Sequence, residues 1–316
     1  MKFKVIGIGE LLWDLLPEGK QLGGAPANFS YHACALGADT WLISRVGNDE
    51  LGREAMERLA ALDLPLGGIE VDPLLPTGMV TVALAADGQP KYEIHESVAW
   101  DALNGSPEAT KAIGEADAVC FGTVGQRNQR ARSTIQCLVA AAPADSLRIL
   151  DVNFRQHYFS KDVVHESLSL ANALKLNETE LPILAKMFGL AGDQRSQIVQ
   201  VANRYRLKLV AFTRGHHGSL LFAHNRWSEH AGKQTKVVDT IGAGDAFTAA
   251  MALGFLMGWE LDEINRHANE IAAYVCSQPG ATPGLPNELI AAFRVEPSLP
   301  GTKPPFSQKP VRIHIT

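Results

Sequence analysis

No apolar run in this 316-residue chain approaches the roughly 18 residues that a membrane-spanning helix needs. The amino-terminal stretch MKFKVIGIGELLWD has a short basic lead but no small-residue cleavage site. Glu10 and Asp14 break its apolar character, so it reads as a first strand rather than a signal peptide. Cysteine is scarce. Cys34, Cys120, Cys137 and Cys276 form no CxxC pair and no Cys/His cluster of zinc-finger periodicity, which fits buried, reduced thiols in a cytoplasmic protein. Positive charge is not in excess: 29 basic against 34 acidic side chains give −5, and nothing draws the chain toward nucleic acid or an anionic membrane. Internal repeats, low-complexity blocks and a P-loop (GxxxxGK followed by Ser or Thr) are also missing. Gly7-Ile8-Gly9 begins like a dinucleotide fingerprint, but Leu12 stands at the third glycine position and an apolar strand follows where a helix should, which speaks against an oxidoreductase.

What is present is a large apolar fraction, 46%, enough for a sizeable core. Short β-rich runs at residues 3–9, 40–44, 118–121, 148–152, 174–176 and 207–212 alternate with helical patterns at 26–36, 50–62, 135–141 and 197–205. That alternation predicts an α/β fold with a doubly wound, mainly parallel sheet covered on both faces. One stretch breaks the rhythm: residues 79–85 and 91–95 read as two strands around Asp87-Gly88, a hairpin signal with no helix between them. Such a hairpin must pack outside the main sheet. A small β-strand lid is therefore expected from about residues 10–17 and 77–101, and its free edge offers a route to a homodimer. The expected organisation is one domain, residues 1–295, followed by a Pro-rich tail, 296–316.

Two segments carry chemistry. In Asp239-Thr240-Ile241-Gly242-Ala243-Gly244-Asp245, the glycines let the backbone turn tightly ahead of an apolar helical pattern over 248–256. The helix start supplies unpaired N–H groups and the positive end of its dipole, an anion site suited to a phosphoryl group. Asp245 stands where a substrate hydroxyl would approach the phosphorus and can accept its proton, although Asp there can also simply cap the helix. In Leu22-Gly23-Gly24-Ala25-Pro26-Ala27-Asn28, two glycines precede a helix with Asn28 in its first turn. That suits a polyhydroxylated small molecule or, more plainly, a Gly-rich loop before a Pro-started helix.

Together with Val46-Gly47-Asn48-Asp49-Glu50-Leu51-Gly52, these segments resemble the paired signatures of the ribokinase-like (PfkB) carbohydrate kinases, in order from about residue 3 to 290. The runs GELLWD and GGAPANF, with Asp151-Val152-Asn153-Phe154-Arg155, are most similar to fructokinases. The resemblance implies a sugar kinase that uses ATP and Mg2+, with Asp245 as base and the amides of Gly242, Ala243 and Gly244 as anion hole. It implies that Asp14, Gly24 and Asn28 hold sugar hydroxyls, with Gln126 and Arg155 as further sugar-side candidates. Asn177 and Glu180 would hold magnesium-bound waters near the ATP phosphates, or cap the helix they open, or both. Thr213, Arg214, Gly215 and Gly218 match a nucleotide loop, with Arg214 a cation beside the polyphosphate, and Asn269 matches a position near the adenine. His216 and His217 read as loop surface. Asp239 with the carbonyls of Ile241, Gly280 and Gly284 matches a monovalent-cation loop that would take K+. Rival readings are a kinase for 2-keto-3-deoxygluconate, ribose or a nucleoside, a sugar-phosphate kinase using Arg127 and Arg155, and a non-catalytic sugar-binding sensor.

Overall fold

The computed structural model describes residues 2–16, 19–84 and 90–294. Its strands are β1 (Lys4–Ile8), β2 (Leu12–Leu16), β3 (Gly19–Gly23), β4 (Asp39–Gly47), β5 (Ile69–Asp72), β6 (Gly78–Leu84), β7 (Pro90–Ile94), β8 (Ala118–Gly122), β9 (Leu147–Asp151), β10 (Ala173–Asn177), β11 (Leu209–Thr213), β12 (Ser219–Ala223) and β13 (Arg226–His230). The helices are α1 (Ala25–Ala35), α2 (Glu50–Ala61), α3 (Pro107–Ile113), α4 (Gln129–Ala141), α5 (Lys161–Leu170), α6 (Glu180–Phe188), α7 (Gln194–Tyr205), α8 (Ala243–Leu256), α9 (Leu261–Cys276) and the single turn α10 (Asn287–Ile290).

The main sheet has the order β13-β12-β11-β10-β9-β8-β1-β4-β5, parallel throughout except for β12 and β13. Its strands are apolar on both faces, as a sheet between two helical layers requires. Ile6, Ile8, Val119, Phe121, Leu174 and Phe212 pack on one side with α3 to α7. Val5, Ala118, Cys120, Ile149, Ala173 and Ala211 pack on the other with α1, α8 and α9. The small residues of this second face let α8 come close, and α8 is buried all round from Ala246 to Gly254. The strand order reverses between β1 and β8, which opens a crevice outside the carboxyl ends of the strands.

A second sheet, β3-β2-β6-β7, stands apart. In it β2 runs parallel to β6, while β3 and β7 pair antiparallel at its two edges. The strand expected from residue 10 begins at Leu12, so Glu10 lies in the link between the two sheets. The turn at Asp87-Gly88 and the tail 296–316 lie outside the described residues. The β12–β13 hairpin that widens the main sheet was not foreseen in the sequence. The thiols are not uniformly buried, contrary to expectation: Cys120 is buried, Cys137 is exposed, and Cys34 and Cys276 fall between. Among the described residues no helix is long and apolar enough to cross a membrane.

Arg127 ties the small sheet to the main one. It donates to the carbonyl of His95, just past β7, at 2.5 Å and to both carboxylate oxygens of Asp101 at 2.8 Å, with its guanidinium 3.9 Å from the centroid of the Trp100 ring. This corrects the expectation of a free cation for a sugar phosphate at this position. Arg127→Met would leave Asp101 a buried, uncompensated charge, and a loss of about 3–5 kcal/mol is expected as a lowered urea midpoint.

Candidate active site

Three chain segments, far apart in sequence, come together at the crevice. The first is the amino-terminal turn of α8. Gly242 caps it with a left-handed φ of 77°. Among the described residues the N–H groups of Gly242, Gly244 and Asp245 have no acceptor, while that of Ala243 makes a long, 3.4 Å contact with the carbonyl of Thr240. The turn thus offers three open donors and a helix dipole in one place, and Asp245 contributes an amide as well as a carboxylate. The second segment is the start of α1. Gly24 has φ 110°, and a side chain there would run into the carbonyl of Glu10; at Gly23 a side chain would meet Oδ2 of Asp14 at 2.5 Å. Helix α1 packs on α8 and so brings Asn28, 5% exposed, to Asp245. Asn28 Nδ2 donates to Asp245 Oδ2 at 2.9 Å, across 217 residues of chain.

The third segment follows β9. Asn153 and Gln156 both have positive φ, 39° and 47°, and the bent loop between them carries Arg155. Its guanidinium is exposed and, among the described residues, has no hydrogen bond or ion pair, yet its charge acts on Glu10, Asp14 and Asp245. Burial pushes the Asp245 carboxyl up to about 7, reinforced by Asp151 and opposed by Lys175, Asn28 and Arg155. Burial likewise raises Asp14 to about 6, with Arg155 opposing. Glu10 was not singled out as a site residue in the sequence. It is 3% exposed, its Oε2 has no partner among the described residues, and burial raises it to about 7 with Asp245 adding repulsion. The one signal available was a carboxylate directly after the apolar run ending at Gly9.

Several expected contacts are engaged elsewhere. Gln126 is fully buried, and its amide donates to the Gly122 carbonyl at 2.8 Å and to Ser167 Oγ at 2.9 Å, so it packs α5 against the sheet rather than facing a sugar. Asn269 is 7% exposed, and its amide donates to Ser219 Oγ at 2.7 Å and to Asn265, which ties α9 to β12. Glu180 is buried with both oxygens occupied: Oε2 accepts from Asn177 N at 2.8 Å and Oε1 from Phe154 N at 3.2 Å. Asn177 Oδ1 in turn accepts from the N–H groups of Thr179 and Glu180. The capping arrangement is therefore realised, with one backbone N–H on each Glu180 oxygen. Among the described residues the side-chain N–H groups of Asn177 have no acceptor. Arg214 donates to Glu229 at 3.0 Å on β13 instead of standing free for a polyphosphate. Thr213 ends β11 beside the exposed Gly215, His216 and His217, and Gly218, at φ 75°, turns the chain into β12.

The expected cation loop is held together by side chains. Asp239 accepts from Ile241 N at 3.0 Å and from Gly280 N at 3.1 Å. The carbonyls of Ala281, Pro283 and Gly284 accept from His32, Tyr31 and Tyr274 at 2.9, 3.0 and 3.0 Å. Burial pushes His32 down to about 4, so it is neutral and donates from Nε2. Of the four donors expected for K+, Asp239 and the Gly284 carbonyl take part in hydrogen bonds, while among the described residues the carbonyls of Ile241 and Gly280 accept none. Among the described residues no group of three or more His, Cys, Asp or Glu side chains can hold a metal ion.

The fold recurs in known proteins. A Pyrococcus horikoshii protein described as an uncharacterized sugar kinase is 31% identical over 296 residues, 88% of this chain and 91% of that protein. Its structure in complex with ATP superposes with a TM-score of 0.73, covering 88% of this chain and 94% of that one. A fructokinase of Klebsiella pneumoniae is 28% identical over 304 residues, 90% of this chain and 97% of its own. The structure of a fructokinase from Xylella fastidiosa with bound ATP, 20% identical, shares the fold at a TM-score of 0.80 over 93% of this chain and 98% of that one. The family model described as pfkB family carbohydrate kinase matches residues 18–288. With a doubly wound sheet and a glycine turn at a helix tip beside an aspartate, this chain belongs to the PfkB carbohydrate kinases, and its chemistry is phosphoryl transfer to a sugar.

Proposed function

We propose that the protein is a fructokinase: Asp245 takes the proton of a fructose hydroxyl as that oxygen attacks the γ-phosphorus of ATP. The single observation that supports this most is the 2.9 Å hydrogen bond from Asn28 to Asp245, which couples the sugar-side helix to the open amides of the phosphate-side turn. The new O–P bond forms as the bond from phosphorus to the ADP oxygen breaks, and the hydroxyl proton ends on Asp245. The amides of Gly242 and Gly244, helped by that of Ala243, receive the charge that develops on the phosphoryl oxygens. Asp14, Gly24 and Asn28 orient the sugar, Arg155 approaches its oxygens or the phosphate, and Asn177, Thr213, Gly215 and Gly218 border the nucleotide. When bound with ATP, magnesium neutralises phosphate charge while keeping most of its own waters. The small sheet excludes water from the crevice, and its edge strands β3 and β7 are the proposed route to a homodimer, to be read by light scattering as twice the 34.1 kDa chain mass.

A carboxyl held near 7 matches a base that works at neutral pH. The sign follows: only ionised Asp245 accepts a proton. The sugar kcat/KM is expected to fall about tenfold per pH unit below about 7 and to level off above it. A flat profile from pH 5.5 to 8 would remove Asp245 from this role.

The exposed guanidinium of Arg155 favours one second reading, a sugar acid such as 2-keto-3-deoxygluconate, whose carboxylate it could pair bidentately. A panel of fructose, other hexoses, ribose, 2-keto-3-deoxygluconate and nucleosides with MgATP separates these. Fructose is expected to give the highest kcat/KM. A higher value for the sugar acid would shift the assignment, and binding without ADP release would make the protein a sensor.

A further inference from the structure

Beneath the phosphate-side turn lies a buried ion pair that the sequence reading did not assign. Lys175 interrupts the apolar strand β10 (Ala-Leu-Lys-Leu-Asn) and is 7% exposed. Its Nζ stands 3.2 and 3.0 Å from the two carboxylate oxygens of Asp151, at the end of β9. A side chain at Gly244 would meet that same Nζ at 3.1 Å, so the ammonium is seated directly under the first turn of α8. A pair of this kind is a poor way to stabilise a sheet, because apolar residues of similar volume do as well or better.

We propose that Lys175, aligned by Asp151, is a positioning residue for phosphoryl transfer: it keeps Asp245 in its proton-accepting form and sets the seat of the turn whose amides receive the phosphate. The inference rests on Asp245 being the base. The charged and polar groups that act on Asp245 are Asp151 and Lys175 from the sheet, Arg155 from the loop after β9, Glu10 from the link between the sheets, and Asn28 from α1, with the Cys120 thiol of β8 facing it too, held neutral by burial and by Asp151 and Asp245 themselves. Asp151 and Glu10 oppose ionisation of Asp245; Lys175, Arg155 and Asn28 favour it. Lys175 itself stays charged. Burial works against the ammonium, but Asp151, Glu180 and Asp245 outweigh it and hold its pKa above the ordinary value.

The test is the pH dependence of sugar kcat/KM in the full chain at saturating MgATP. In Lys175→Met the acid limb should move up by about one pH unit or more, since a nearby charge shifts a carboxyl by that order. In Asp151→Asn it should move down, because Lys175 then faces Asp245 unopposed. The second variant keeps the ammonium among Glu180 and Asp245, so it stays readable if Lys175→Met fails to fold. A general structural role would lower melting temperature and rate at every pH without opposite displacements of the limb. Folded variants whose limbs stay put, or move the same way, overturn the inference. If Asp245→Asn keeps its turnover, the base assignment falls and takes this inference with it; if that variant is inactive while both limbs stay put, this inference alone falls.

Discussion

Asp245→Asn is expected to lower kcat by roughly 10²–10⁴-fold, the usual contribution of a positioned general base, while sugar affinity is largely kept. The amide preserves shape and can still accept the hydrogen bond from Asn28, so the turn and α1 stay docked. What it cannot do is take a proton. The same variant should be more stable than the parent. The parent carboxyl is raised from an ordinary value near 4 to about 7 by burial, so its unfolded form ionises first. The parent therefore loses stability relative to Asp245→Asn as pH rises from about 4 to about 7, and the gap is constant above that. Isothermal titration with fructose, steady-state turnover and melting at two pH values together check all three parts. Turnover within a few-fold of the parent would overturn the base assignment.

Gly242→Ala is expected to be nearly as damaging, though it removes no functional group. Gly242 has φ 77°, and a Cβ there would lie 2.8 Å from Ala281 Cα and 2.9 Å from its Cβ, and would run into its carbonyl oxygen. Ala281 cannot retreat, because its carbonyl is held at 2.9 Å by His32, which is fully buried. The turn must open instead, and the amides of Gly244 and Asp245 leave their places. Loss of one preorganised donor costs on the order of 10²–10³-fold in kcat, and left-handed backbone at a residue with a side chain adds about 1–2 kcal/mol of strain. Gly284→Ala is the matching control. Among the described residues it has no heavy atom within 4 Å of the added carbon, and near-parental turnover is expected.

Much of this was readable one segment at a time. The apolar, Gly-terminated runs became β1 and its neighbours, and the Pro26 start became α1 within a residue. The glycine turn ahead of an apolar run became the open amides at the start of α8. These are local properties: period, turn chemistry and cap preference are set by residues a few positions apart.

The sequence by itself determined which groups could act: a carboxylate in a glycine turn, an amide one turn into a helix, and a cation in a bent loop. It could not say which were already engaged. Gln126, Arg127, Glu180, Arg214 and Asn269 all have the right chemistry, yet each is held by a partner far away in sequence. Conversely, Lys175 and Glu10 stand as single charges among apolar neighbours in the sequence, and only packing set them under and beside Asp245. The physical reason is that a donor or acceptor has few bonds to give and a carboxyl's proton affinity depends on its neighbours' charge and its distance from water. Both are fixed when the strand ends converge, and not before.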